Sequence, residues 1–366
     1  MSRPARGRFA SAVAFIVALG SLGGCAPGAD PGDSAAASAS AAVGASAAPD
    51  ASEGPAAVSF APWPTGAPPL TRFEGRLAVT AYDDTSQWAI YVIDGGDGSV
   101  ERVTGADLLP EAAAWSPDGR WLAISRTVSP SADALGASIL SILDPRTDAL
   151  RDLTQAEPGV VDGVPAWSPD GRRLVFQSSR GNGGDAFRSS LYTIDVEDES
   201  LTRVPIDAAF VMEPSWSPDG EWIRYLEQPS FEPARVVAVR PDGTGRQVLT
   251  FEPDVLGGPV WSPDGTTVAL RVYGPVQPTG SGDLAQWPEI WTASADGSGA
   301  RPLFEFPVHG GSLVWSPDGR SIAFVGGLAT ERDALWIMSA EGLPLGVVPT
   351  GDLDLVRLDW TASTGD

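Results

Sequence analysis

The chain holds one cysteine, one histidine and no lysine in its 366 residues. A single thiol excludes any disulfide within the chain, so packing alone must hold the fold. One imidazole and one thiol leave no ligand set for structural zinc. A Ser-His-acid device would have to use His309 as its base, and no Gly-x-Ser-x-Gly elbow occurs to supply the nucleophile. Neither a phosphate loop nor a dinucleotide fingerprint is present; Gly-Thr-Gly-Arg at 243–246 lacks the lysine of the former. All 24 basic residues are arginine against 47 acids, a formal net charge of −23. A field of that sign disfavours nucleic acid and anionic lipid and favours cations or basic partners.

Long apolar runs are missing too. The longest, Phe9 to Gly20, is too short to span a bilayer. It follows Arg3, Arg6 and Arg8 and ends in Leu22-Gly23-Gly24-Cys25. This order resembles a bacterial lipoprotein signal over residues 1–24, which implies that Cys25 becomes the lipidated (palmitate-bearing) N-terminus outside the cytoplasm. Residues 25–71 are rich in Ala, Ser, Gly and Pro and have almost nothing to bury. They read as a flexible tether with a mean reach on the order of 35–40 Å. The membrane is then met only through the lipid.

What is abundant is a repeat. Trp-Ser-Pro-Asp-Gly stands at 115–119, 167–171, 216–220, 261–265 and 315–319. A spacing of about 45–55 residues marks a repeat architecture. Ser-Pro-Asp-Gly suits a type I turn followed by a left-handed glycine. A short apolar run follows each copy, as in Trp121–Ser125, Leu174–Phe176 and Ile322–Val325. A second run, an Asp-Gly turn and a closing strand complete each unit. Four short strands per unit predict an all-β, six-bladed β-propeller over residues 72–361, with 362–366 as a tail. The first blade lacks its own innermost strand, and Leu358-Asp359-Trp360 supplies it. The C-terminal strand therefore closes the ring by pairing with the N-terminal blade, which removes free sheet edges. A monomer is expected.

These units resemble the WD40-like repeats of TolB-type β-propellers, over about residues 72–361. That resemblance implies an interaction scaffold of the cell envelope. TolB proteins of diderm bacteria carry an α/β domain ahead of the propeller, where this chain reads as tether. Their specific role is therefore not carried over.

The candidate sites lie in the loops. The connections Thr127–Ser138, Ser178–Ser190, Gln228–Pro233 and Tyr273–Pro288 vary in length and read as irregular, whereas the turns at the opposite face are uniform. Variable loops on a rigid scaffold are where binding usually sits. Glu111, Asp162, Glu213, Asp254 and Asp354 lie just before the repeated tryptophans, with His309 in the matching place of the fifth copy. They predict an acidic ring, broken by one imidazole, at the mouth of the channel. Phe210, Phe231 and Trp287 are candidate contacts on the same face, and Phe187 flanks a strand. Asp94 and Asp97 crowd carboxylates into a Gly-rich turn that could attract Ca2+, though without the closing Glu of an EF-hand. No other cofactor is expected.

The reading that follows is a membrane-anchored module, without enzymatic activity, that binds a protein or peptide of the envelope, basic in character. A small-molecule or cation sensor at the channel mouth is the alternative. A hydrolase or lyase built on paired carboxylates is a third.

Overall fold

Each pentapeptide closes a hairpin, and its residues divide the work. In the first copy the Gly119 amide donates to the Ser116 carbonyl at 2.8 Å. Asp118 Oδ1 accepts from Ser116 Oγ at 2.6 Å and from the Arg120 amide at 3.1 Å. Ser116 Oγ in turn accepts from the Trp121 amide. Gly119 sits at φ 67, in the left-handed region where a β-carbon is strained. The same Ser-to-Asp bond recurs at Ser168, Ser217, Ser262 and Ser316. It holds the carboxyls of Asp170, Asp219, Asp264 and Asp318 below the usual carboxylate range.

The structure is a computed structural model. It describes residues 68–363 apart from 84, 106, 129–135, 183–187, 209, 229–232, 250–253, 279–283, 305–311 and 327–333. Expectations for the signal segment, Cys25 and most of the tether lie outside these residues. So do those for Phe187, Phe231 and His309.

Among the described residues, twenty-four strands make six four-stranded sheets. Blade I contains β1 (Arg76–Tyr82), β2 (Trp88–Asp94) and β3 (Val100–Arg102). Blade II is β4 (Pro110–Trp115), β5 (Leu122–Val128), β6 (Ala137–Asp144) and β7 (Ala149–Asp152). Blade III is β8 (Asp162–Trp167), β9 (Arg173–Ser178), β10 (Ser190–Asp195) and β11 (Leu201–Arg203). Blade IV is β12 (Val211–Trp216), β13 (Ile223–Glu227), β14 (Arg235–Val239) and β15 (Gln247–Leu249). Blade V is β16 (Val255–Trp261), β17 (Thr267–Pro278), β18 (Leu284–Ser294) and β19 (Arg301–Phe304). Blade VI is β20 (Leu313–Trp315), β21 (Ser321–Gly326), β22 (Ala334–Ser339) and β23 (Pro344–Val348). The last strand, β24 (Asp354–Thr361), pairs antiparallel with β1 and completes blade I. Its Trp360 meets Leu77 in the register that joins Trp115 to Leu122 and Trp315 to Ile322. The innermost strands touch in sequence around the ring, β20 to β24 and β24 to β4 included.

Apolar clusters fill the junctions between blades. One joins Ile90 and Val103 of blade I to Trp115, Leu122 and Leu143 of blade II. Another carries Leu335 and Ile337 of blade VI into Leu77, Leu358 and Trp360 of blade I. The turns also touch end to end. A β-carbon on Gly171, Gly220, Gly265 or Gly319 would meet the ring of Pro117, Pro169, Pro218 or Pro263 in the preceding blade at 3.5–3.8 Å. Blade I has no such turn. There the chain entering β1 fills in: the Leu70 amide donates to Val347 of β23, and Glu74 O accepts from Trp360 Nε1 at 2.8 Å.

One expectation needs correction. Tyr273–Pro288 was expected as an irregular loop, but most of it is paired strand. β17 and β18 continue past the blade, with Val276 opposite Gln286 and Pro278 opposite Leu284. The segment's prolines and glycines obscured the alternation, and the antiparallel partner is what holds them extended.

Because Trp360 is 8% exposed and bridges β24 to the entering chain, Trp360→Ala should cost about 3–5 kcal/mol. Urea unfolding followed by tryptophan fluorescence measures it; a loss below about 1 kcal/mol would contradict closure through β24.

Candidate functional site

The innermost strands do not run straight. Their ladders shift between Gly163 and Ala166, Met212 and Ser215, and Gly257 and Val260. At each of these bulges the residue three before the tryptophan has a positive φ: Val164 at 53, Glu213 at 49, Gly258 at 66. Glycine accepts this freely, whereas a β-branched valine and a glutamate do not. Strain of this kind persists only where surrounding contacts fix it, and it clusters at functional positions. The bulges lie where the strands enter from the loop face, so they shape the channel mouth.

Charge converges there. Asp162 is fully buried and accepts from Ser178 Oγ at 2.6 Å and from Arg180 through Nε at 3.0 Å and Nη2 at 2.6 Å. Arg180 also reaches Glu157 and the Gln155 carbonyl. Glu213 Oε2 accepts from the Gly258 amide of the next blade at 2.6 Å, and Arg271 Nη2 stands 3.9 Å from Oε1. The guanidinium of Arg271 lies so close to Gly257 that a β-carbon there would sit 2.4 Å from Nη2. Glu111 accepts from Thr127 Oγ1 and from Ser138 Oγ at 3.1 Å. Burial pushes the Glu111 carboxyl up, while those hydroxyls and the charge of Arg357 pull it down. Burial pulls Arg271 down, with Glu213 opposing and Arg357 adding to the effect.

Three of the acids expected to ring the mouth have partners within the fold. Glu111, Asp162 and Glu213 are taken up by hydroxyls, a backbone amide and guanidinium groups. Asp254 and Asp354 lie exposed on the loop face. Phe210 is half-buried on the approach to β12, and its carbonyl accepts from the Gln228 amide at 3.0 Å. Trp287 lies in β18, and its side chain is outside the description.

Arg180, Arg271 and Arg357 are the residues that the sequence reading missed. Two signals could have found them. Arg357 stands three residues before Trp360, the spacing that Val164, Glu213 and Gly258 keep from their own tryptophans, beside the bulge at Val356. The pair Gly257-Gly258 inside a strand marks the close approach of a side chain.

Asp94 and Asp97 close their own turn by accepting from the amides of Gly96 and Ser99. Among the described residues no three carboxylate, imidazole or thiol groups converge in a way that could hold a metal ion. Lower in the channel wall, Asp359 of β24 accepts from the Trp115 amide of blade II. Burial pushes its carboxyl up to about 7, against the two backbone amides, those of Trp115 and Trp360, that favour the charged form.

Residues 131–343 match the sequence model of the family described as TolB beta propeller domain. The Tol-Pal system protein TolB of Anaeromyxobacter dehalogenans (strain 2CP-C) is 28% identical over 228 residues, 58% of this chain and 49% of that protein. The chain spans about half the length of the curated relatives it matches first. Among solved structures, TolB from Acinetobacter baumannii aligns with a TM-score of 0.63 at 20% identity, over 81% of this chain and 68% of that one. An oligogalacturonate lyase in complex with manganese aligns at 0.52 and 17% identity, over 75% and 74%. At such identities the structural likeness speaks for the fold.

The raised carboxyls set a pH dependence. Between pH 4 and about 7 the folded state keeps a proton on Asp359 that the unfolded chain has lost, and Glu111 shifts in the same direction. Stability should therefore fall as pH rises through that window. Urea midpoints at pH 4.5 and 7.5 should show the drop, and Asp359→Asn should remove most of it; a midpoint that rises with pH would contradict the assignment.

Proposed function

The chain belongs to the TolB β-propeller family, and from that premise we propose that it is a protein- or peptide-binding module of the bacterial cell envelope. In this reading it is tethered to a membrane by lipid on Cys25 and binds through the loop face of the ring. The bound element is a polar segment of a partner, basic where it meets Asp254 and Asp354. It reaches a mouth where Glu213 and Arg271 face each other across two blades.

The observation that carries this reading is the strained backbone of Glu213, at φ 49 in an innermost strand, with its carboxylate bonded to the Gly258 amide of the next blade. Proteins hold such residues where geometry matters more than local stability. The net charge of −23 supports a basic partner by steering it. The name of the Anaeromyxobacter relative, a Tol-Pal system protein, supports the envelope as the setting.

The full-length chain, expressed in its own bacterium and cross-linked there, should capture one defined envelope protein. Asp254→Asn combined with Asp354→Asn and Glu213→Gln should lower recovery of that protein roughly tenfold. Cys25→Ser should abolish incorporation of labelled palmitate and leave capture in detergent extracts intact. Equal recovery with the triple variant would overturn the loop-face assignment, and labelling that survives Cys25→Ser would overturn the anchor.

A further inference from the structure

The closing strand carries a charge that the fold does not use. Along β24, Leu358 and Trp360 enter the cluster shared with blade VI. Side chains alternate across a strand, so Arg357 and Asp359 point the other way, toward blade II and the channel. Asp359 gives its carboxylate to the Trp115 amide of that blade. Arg357 is half-buried, and among the described residues its guanidinium forms no hydrogen bond or ion pair.

The acids nearest to it are already committed. Glu111 accepts from Thr127 and Ser138. Glu213 accepts from the Gly258 amide and faces Arg271. Arg271 starts from the second strand of blade V and crosses the innermost strand at Gly257, where a β-carbon would stand 2.4 Å from its Nη2. The charge of Arg357 acts on both Glu111 and Arg271, so these groups surround one stretch of the channel. Beside Arg357 the matching positions of the neighbouring blades are small. Blade II has Ala112 there, and blade VI has Ser312, whose Oγ accepts from the Leu358 amide at 3.1 Å. The guanidinium is thus free to turn its fork into the channel.

We propose that the channel takes up a carboxylate group on Arg357, with Arg271 as the second positive charge beside it. A guanidinium offers two parallel N–H groups that match the two oxygens of a carboxylate. The chain's net charge of −23 opposes an anion at long range, so selection here rests on this short-range fit. The carboxylate is that of a small free anion or the C-terminus of a peptide entering from the loop face. Only the second form rests on the binding-module reading.

The test titrates the full chain, in carboxylate-free buffer at low salt, with acetate and with its neutral isostere acetamide. A parallel pair is acetyl-Gly-Gly-Ala as free acid and as amide. Backbone N–H shifts at Ala112 and Leu358 report binding. Acetate should bind roughly tenfold more tightly than acetamide and weaken with salt. The same preference for the free acid over the amide identifies a peptide terminus as the source, and a preference confined to acetate identifies a small anion. Arg357→Gln should lower acetate affinity roughly tenfold, and Arg357→Lys, which keeps the charge and loses the fork, should fall between. An unchanged thermal midpoint in Arg357→Lys separates this loss from damage to the ring. Equal binding of acetate and acetamide, or undiminished acetate binding in Arg357→Gln, would overturn the proposal. Capture of an envelope protein is a separate readout, so the binding-module reading can fail without altering this result.

Discussion

A four-stranded blade has two apolar faces and can bury neither by itself, so this fold rests on each blade covering the next. The requirement is met only when the ring closes. β24 joins blade I for that reason, and Leu358 and Trp360 enter the same cluster as Leu335 and Ile337 of blade VI. Asp359 then ties the closing strand to the backbone of blade II. The chain has no disulfide to share this task, so the C-terminal strand carries structural weight.

The repeated pentapeptide serves the same requirement at the turn face. Its serine and aspartate close the hairpin, its glycine clears the proline of the preceding turn, and its tryptophan fills the junction. At three junctions a neighbouring arginine lies on that indole: Arg76 on Trp115, Arg173 on Trp216 and Arg224 on Trp261. Where the neighbour is Thr267 or Ser321, the tryptophan is still buried, 7% exposed at Trp315 and 8% at Trp360. At the opposite face, bulges in the innermost strands lift Val164 and Glu213 into strained geometry, and Arg180, just past β9, and Arg271 of β17 stand against the acids.

The fold was legible because its information is local and repeated. The turn, the strand after it and the pairing of Trp360 with Leu77 all follow from residues a few positions apart or from the period itself. The candidate site was legible only by half. Acids before each tryptophan could be counted along the chain, yet Arg180 meets Asp162 only through strand pairing across a hairpin, and Arg271 meets Glu213 only across two blades. The contacts that Asp162 and Glu213 make are tertiary, and periodicity does not encode them. The Tyr273–Pro288 hairpin escaped for a related reason: glycine and proline suggested a loop, and the antiparallel partner overrode that preference.

Native-state hydrogen exchange tests the closure most directly. If β24 is an integral strand of blade I, the ladder amides it shares with β1 should open only with global unfolding, as slowly as the central amides of β9. Exchange of the β24 amides orders of magnitude faster than those of β9, with the rest of the ring still protected, would contradict the account.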